Sequence, residues 1–402
     1  MAQGGASLGP FATLMSLLLP LLAMLTGCAA LDDRYVRLPG ENFQQVWVSP
    51  EAWGTAEFPP TPLGMRSMPL SRQESDGWSY EFTCRGDRTF LTFNPDSRFN
   101  ELLVSWNIHL EPSAGAVIDL RVGPLRGAEW SPWLRVGTCG TADGAPGAVR
   151  EFFDAGESGG RIDIDCFRAD RTYRYFAVRV TAPAMTGAPP DVPPARIDRL
   201  AFWQGNTLET WDATRASRRE GCPTEVVANP VPFRSQATDN PALSGRLCSP
   251  TSLAMVLTFH GVNRSVGDVA SAVRDPEFDI YGNWPRNIQA AYESGVPGYL
   301  TRFDHWETVC RHLARGEPII ASIRAPRGVL TNAPYTELDS GHLIVITGFD
   351  GRGGVFVNDP AAGTAADGQR VYSMDELAKA WFELGRGTAY VLLRPVAGEA
   401  RP

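Results

Sequence analysis

Leu247-Cys248-Ser249-Pro250-Thr251-Ser252-Leu253-Ala254-Met255-Val256-Leu257 is the stretch that decides how the chain is read. Ser249 suits an N-cap, and Pro250 suits the first helical position, where a missing N–H costs nothing. Leu253, Val256, Leu257 and His260 recur at helical spacing, and Gly261 reads as the stop. Cys248 therefore sits where a helix begins. Unpaired N–H groups and the helix dipole favour an anion there, so a thiol at that point is held partly as thiolate.

Downstream, helices are signalled at 265–273, 283–294 and 304–314, with Asp304 and Glu307 at capping-box spacing. Strand-like runs follow at 319–323, 342–348, 355–357 and 388–393. Asp350-Gly351 marks a tight turn, and Ser373 with Glu376 starts one more helix, to about Phe382. Helices first and an antiparallel sheet after is an α+β order, which predicts an α+β domain over 229–396.

Ser340-Gly341-His342-Leu343-Ile344-Val345 places His342 at a strand start, and Val355-Phe356-Val357-Asn358-Asp359-Pro360 places Asp359 at a strand end. A cysteine at a helix start, an imidazole and a carboxylate are the parts of a thiol-nucleophile site. The thiolate attacks, the ring moves the proton, and the acid orients the ring. Acyl transfer also needs donors for the developing oxyanion. The Cys248 backbone N–H is one candidate, and the Gln236 amide in Val231-Pro232-Phe233-Arg234-Ser235-Gln236 is another. Asn358 rivals Asp359 as orienter. Adjacent strand residues point to opposite faces, so only one of the two can meet His342. Asp339 and Asp350 are weaker loop acids. His109, His260, His305 and His312 lack comparable settings, and His260 reads as helix packing or as a charge at the helix end.

Residues 35–205 predict an all-β sandwich. Partial alternation runs through 102–110, 117–122, 161–165, 175–180 and 197–202, punctuated by Gly, Pro and Asp. The Pro-rich stretch 188–194 reads as an extended loop, and polar 206–228 as the linker. Trp47, Trp53, Trp78, Trp106, Trp130 and Trp133 are candidates either for an aromatic binding platform or for core packing, with packing favoured.

Residues 13–27 form an apolar run broken by Pro20, too short for a comfortable membrane span and suited to a secretion signal. Leu25-Thr26-Gly27-Cys28 resembles a bacterial lipobox, although residues 1–12 hold no Lys or Arg. Residues 1–28 are thus expected to be a signal peptide with Cys28 as the lipidated residue. That implies an exported protein of the bacterial cell envelope, held at the membrane by its lipid.

The net charge of −8 argues against nucleic acid as a partner. Of seven cysteines, Cys28 belongs to the lipobox, Cys248 to the site, and Cys310 reads as a small buried hydrophobe. Cys84, Cys139, Cys166 and Cys222 remain for disulfides, with Cys139–Cys166 favoured because both fall in strand-like stretches of one domain. No Cys-x-x-Cys occurs and no His is spaced to complete a metal site, so neither a metal nor another cofactor is expected.

The motifs at 231–236, 248–257, 341–342 and 357–360 together resemble the bacteriocin-processing cysteine peptidases, family thirty-nine, and their stand-alone relatives. The resemblance covers the C-terminal domain only. It implies a papain-like fold, with Gln236 as oxyanion residue, Cys248 as nucleophile, His342 as general base and Asp359 as orienter. It also implies a peptide or protein substrate. One departure stands out: the family usually has glycine after the nucleophile, where this chain has Ser249. The expected function is hydrolysis of peptide or isopeptide bonds through a Cys248 thioester. The alternative is a catalytically silent papain-like scaffold whose β domain binds an envelope glycan or a protein.

Overall fold

The computed structural model describes residues 98–125, 129–154, 158–183, 194–208, 219, 222 and 224–394, with the backbone of short strands between 35 and 85. Cys28, Trp53, the Pro-rich loop but for Pro194, and most of 206–228 lie outside the described residues, as do the side chains of Trp47, Trp78 and Cys84.

The N-terminal region is built of strands β1 (Tyr35–Val36), β2 (Phe43–Val48), β3 (Arg66–Ser67), β4 (Ser71–Gln73), β5 (Gly77–Arg85), β6 (Phe99–Leu110) and β7 (Gly115–Gly123). It continues with β8 (Leu134–Gly140), β9 (Glu151–Asp154), β10 (Ser158–Asp163), β11 (Cys166–Tyr173), β12 (Tyr175–Pro183) and β13 (Ala195–Gly205). One antiparallel sheet runs β1-β2-β13-β6-β11-β10-β9, and a second runs β3-β5-β12-β7-β8 with β4 on β5. Alternate residues of both sheets share one core: Ile118 and Leu120 of β7, Val178 and Val180 of β12, Trp106 and Ile108 of β6, Leu200 and Phe202 of β13.

Strand β6 departs from simple alternation because both of its faces are covered. Val104, Trp106 and Ile108 point into that core, yet Glu101, Ser105 and Asn107 on the opposite face are also buried. The C-terminal region covers them.

That region holds β14 (Val227–Ala228), α1 (Cys248–Phe259), α2 (Val266–Val273), α3 (Trp284–Glu293), β15 (Gly298–Arg302), α4 (Trp306–Ala314), β16 (Ile319–Ala325) and β17 (Leu338–Phe349). It ends with β18 (Gly354–Asn358), α5 (Ala365–Gly368), β19 (Gln369–Ser373), α6 (Met374–Ala378), a π turn at Lys379–Glu383 and β20 (Thr388–Leu392). The sheet order is β15-β20-β16-β17-β18-β19, with β14 on β17. Helices line both faces. Leu343 and Val345 pack in one cluster with α1, α2 and α3, while Ile344 and Ile346 pack in another with α4 and α6. The unbroken apolar run 343–346 is the mark of a strand buried on both sides.

Several local expectations need correction. Helix α1 begins at Cys248 rather than after Ser249; Leu247 is its N-cap and no side chain caps it. Pro250 falls in the first turn all the same, where its lack of N–H is harmless. The Asp304–Glu307 box does not form. His305 is the N-cap of α4 without a side-chain bond, and the Asp304 carboxylate turns to the His305 ring. Ser373 does cap α6, accepting from the Asp375 N–H, but Glu376 instead bonds Thr331. Strand β15 lies between α3 and α4, so helices do not all precede the sheet. By contrast, Ser265 with Asp268 makes a full capping box on α2, and Asn283 caps α3.

The cysteine pairing also differs. Cys222 and Cys310 form a disulfide, Cα–Cα 5.4 Å, fastening the approach to β14 onto α4. Cys139 and Cys166 are free and buried, in separate clusters: Cys139 faces the core between the two N-terminal sheets, and Cys166 faces the C-terminal region. Strands of one domain can still turn side chains to opposite faces, which is why shared strand character did not make a pair.

The join between the regions is polar and specific. Gln289 of α3 accepts from the Ile108 N–H (2.9 Å) and donates to the Ile108 carbonyl (2.7 Å), as a neighbouring strand would. Asn107 does the same for Gly298 of β15, at 3.2 Å in each direction. Ser105 accepts from Leu300 N–H, and Asp165 accepts from Trp284 N–H. Buried Glu101 pairs with Arg302 and Arg386. Each buried backbone group touched this way is spared the cost of going unpaired.

Candidate active site

The thiol is presented by α1 with little freedom. Ser249 to Leu257 are all buried. The Ser252 hydroxyl donates to the Leu343 carbonyl at 3.0 Å, which fixes the helix against β17 one residue from His342. The N–H of the same Leu343 points at the Cys248 sulfur, as does that of Ser249. The N–H groups of a first turn have no acceptor within the helix, so the sulfur lies in a field of free donors.

His342 is buried within β17, four residues past the strand's start at Leu338 rather than at a strand start, and hydrogen-bonds to the Cys248 sulfur. Its Nε2 lies 2.8 Å from Asp359 Oδ1, which leaves Nδ1 for the sulfur. Asp359 follows β18 directly and is fully buried (0% exposed), so its charge must be met by protein groups. Three meet it: the His342 ring, the Ala361 N–H at 3.0 Å to Oδ1, and the Tyr372 hydroxyl at 2.8 Å to Oδ2. Asn358 faces the other way and donates to the Val231 carbonyl at 2.9 Å, so the orienting position belongs to Asp359. Tyr335 sets its ring edge-on to His342, centroids 5.5 Å apart at 83°.

Charge follows geometry. Burial alone would raise the Cys248 pKa, but its hydrogen bond to His342 and the charge of that ring outweigh burial and lower it. Burial alone would lower the His342 pKa; the Asp359 carboxylate and the Cys248 sulfur raise it to about 10. Burial opposes ionisation of Asp359 too, yet the imidazolium and the Tyr372 hydroxyl hold its pKa down. The favoured state at neutral pH is thiolate, imidazolium and carboxylate in a row.

Gln236 is tied to the same corner. Its N–H donates to the Pro360 carbonyl at 2.8 Å, next to Asp359. Its side chain makes no hydrogen bond to Cys248 or His342, and its Oε1 is buried without a partner. Ser249 does not turn toward the thiol. Its hydroxyl donates to Asn287 Oδ1 at 2.9 Å and pairs with the Tyr390 hydroxyl at 3.0 Å, both in the core.

The other candidates fall elsewhere. Asp350 closes the turn between β17 and β18, accepting from the Arg352 and Gly354 N–H groups, and the Asp339 side chain lies outside the described residues. His305 pairs with Asp304, His312 with Glu317, and His109 approaches Glu111. His260 is the C-cap of α1, and burial lowers its pKa to about 4. Among the tryptophans, Trp106 is core. Trp133 stacks with both Arg121 and Arg179, and Trp130 with Arg121, so these rings already have partners. Among the described residues, no three His, Cys, Asp or Glu side chains gather as a metal site. Sequence reasoning missed Ser252, Tyr335 and Tyr372; in Arg370-Val371-Tyr372-Ser373 the two apolar residues are adjacent, so the pattern does not say which of them faces inward.

Comparison with known proteins agrees with the motifs. Residues 228–389, less than half of the chain, match the model of the Peptidase_C39 like family. One similar solved structure is a double glycine motif protease from an AMS/PCAT transporter in complex with its leader peptide. It shares 18% identity over 43% of this chain and 99% of that one, TM-score 0.29. Another is the peptidase domain of Streptococcus ComA, a bi-functional ABC transporter involved in a quorum sensing pathway, at 17% identity over 40% and 97%, TM-score 0.29. No curated protein matches. The family match over the C-terminal region supports a papain-like cysteine peptidase.

Proposed function

We propose that the protein is an exported cysteine peptidase that hydrolyses peptide or isopeptide bonds through a Cys248 thioester. The observation that carries this is the row Cys248–His342–Asp359, with His342 and Asp359 buried behind a partly buried Cys248 at a helix N-terminus. In the first step the thiolate attacks the carbonyl carbon, and His342 gives its proton to the leaving amine. Water then attacks the thioester, His342 takes its proton, and the acid product leaves with the thiolate restored. The first-turn N–H groups of α1, with the Gln236 amide, are the donors for the oxyanion.

Export and lipid anchoring rest on the 13–28 segment, and the Cys222–Cys310 disulfide supports an oxidising compartment. We read the two N-terminal sheets as an accessory β-sandwich domain. Ser249 lends no support to a silent scaffold, because its hydroxyl is engaged in the core.

The test is digestion of a mixed peptide library by the mature protein and by C248A, with new termini read by mass spectrometry. New termini made by the wild type and missing from C248A support the reading. No cleavage, together with equal iodoacetamide labelling in wild type and H342A, overturns it. Radiolabelled palmitate uptake in wild type against C28A tests the anchor.

A further inference from the structure

We propose that Tyr372 is a positioning residue for the proton relay, acting on His342 through Asp359; this rests on the peptidase reading above. Asp359 has two oxygens to satisfy in a place water does not reach. Oδ1 serves His342 and the Ala361 N–H, and Oδ2 receives the Tyr372 hydroxyl at 2.8 Å. Without that hydroxyl, Oδ2 loses its 2.8 Å donor, and the carboxylate's rotation is left to the Ala361 N–H, the His342 ring and the neighbouring Tyr335 phenol. Tyr372 is itself fully buried, on β19 beside β18, so its position is set by the sheet and not by a mobile chain. Burial, with the charge of Asp359 next to it, keeps its phenol protonated, so it acts as donor throughout. The titratable groups facing Asp359 are His342 from β17, Tyr372 from β19 and Tyr335 from the loop before β17, with Cys248 beyond His342.

The role predicts a particular pH signature. Losing the donor makes ionised Asp359 harder to keep, so its proton returns at a higher pH. The imidazolium then loses its counter-charge, and the thiolate loses its imidazolium. The acid limb of Cys248 alkylation should therefore move up.

The test is the rate of iodoacetamide alkylation of Cys248 against pH, in the mature protein and in Y372F, which keeps the ring in the core. The expected result is an acid limb about one pH unit higher in Y372F, the size of one charge-assisted hydrogen bond to a buried carboxylate. An unshifted limb in folded Y372F overturns the role of Tyr372. A wild-type thiol that titrates like free cysteine overturns the peptidase reading instead, so the two failures are distinct. If Y372F does not fold, 3-fluorotyrosine at position 372 gives a stronger donor in the same shape. It should move the limb down, and no movement would again overturn the proposal.

Discussion

The hydroxyls of Ser249 and Tyr390 lie 3.0 Å apart, so the residue after the nucleophile faces the sheet and not the substrate. S249A should leave Asn287 Oδ1 and the Tyr390 hydroxyl short of a buried partner, at about 1–3 kcal/mol of stability. The alkylation rate of Cys248 should hardly change. Urea melts with parallel iodoacetamide kinetics check both. A large loss of thiol reactivity in a well-folded S249A would mean the hydroxyl serves the site.

Activity should follow a bell against pH. It rises as Cys248 loses its proton, below the ordinary thiol range, and falls as His342 loses its own near about 10. In H342A the thiol should return toward about 8.5 or above. Thiol absorbance titration at 240 nm in both proteins gives the answer. A wild-type titration coincident with that of H342A would contradict the ion pair.

Asp165 predicts a pH-dependent gain in stability. Burial raises its pKa to about 7, in spite of the Trp284 N–H it accepts. A carboxyl raised in the folded state contributes stability that is fully present below its unfolded value. That contribution is lost as pH rises through about 7. D165N keeps an oxygen for Trp284 and never ionises. Its advantage over wild type should therefore be about 2 kcal/mol larger at pH 8 than at pH 5, by proton linkage. Denaturant melts at the two pH values measure this, and an advantage independent of pH would mean the acid is already neutralised by its arginine neighbours.

The Cys222–Cys310 bond closes a long loop, with a sequence separation of 88. C222S should cost about 2–5 kcal/mol. Melting the oxidised wild type beside C222S tests it. Equal midpoints would mean the bond does not form in the purified protein.

What the sequence made legible was local. The α1 pattern, the helix at 265–273 and the 343–346 run carry their signals within a few residues. Both helices appear within a residue or two of the expected bounds, while the strand holding 343–346 starts four residues early, at Leu338. What it hid depends on distant partners. Cys310 looked like a plain helix hydrophobe because its partner lies far back along the chain. Ser249 looked like a cap because Asn287 and Tyr390, which claim its hydroxyl, belong to other elements. Cys248, His342 and Asp359 were nameable as candidates from helix and strand boundaries. Tyr372 was not, since nothing in 369–373 says which carboxylate the neighbouring strand will bring beside it.

The Gln289 amide, bonded both ways to Ile108, has a mechanical consequence. A side chain that occupies a place in the other region's sheet couples the melting of the two. The chain should therefore unfold with a single calorimetric peak, and a fragment starting at residue 229 should leave Gln289 and Arg302 facing water from a surface built for burial. Recombinant work on the C-terminal region would then begin from the longer polypeptide, which keeps those polar groups covered.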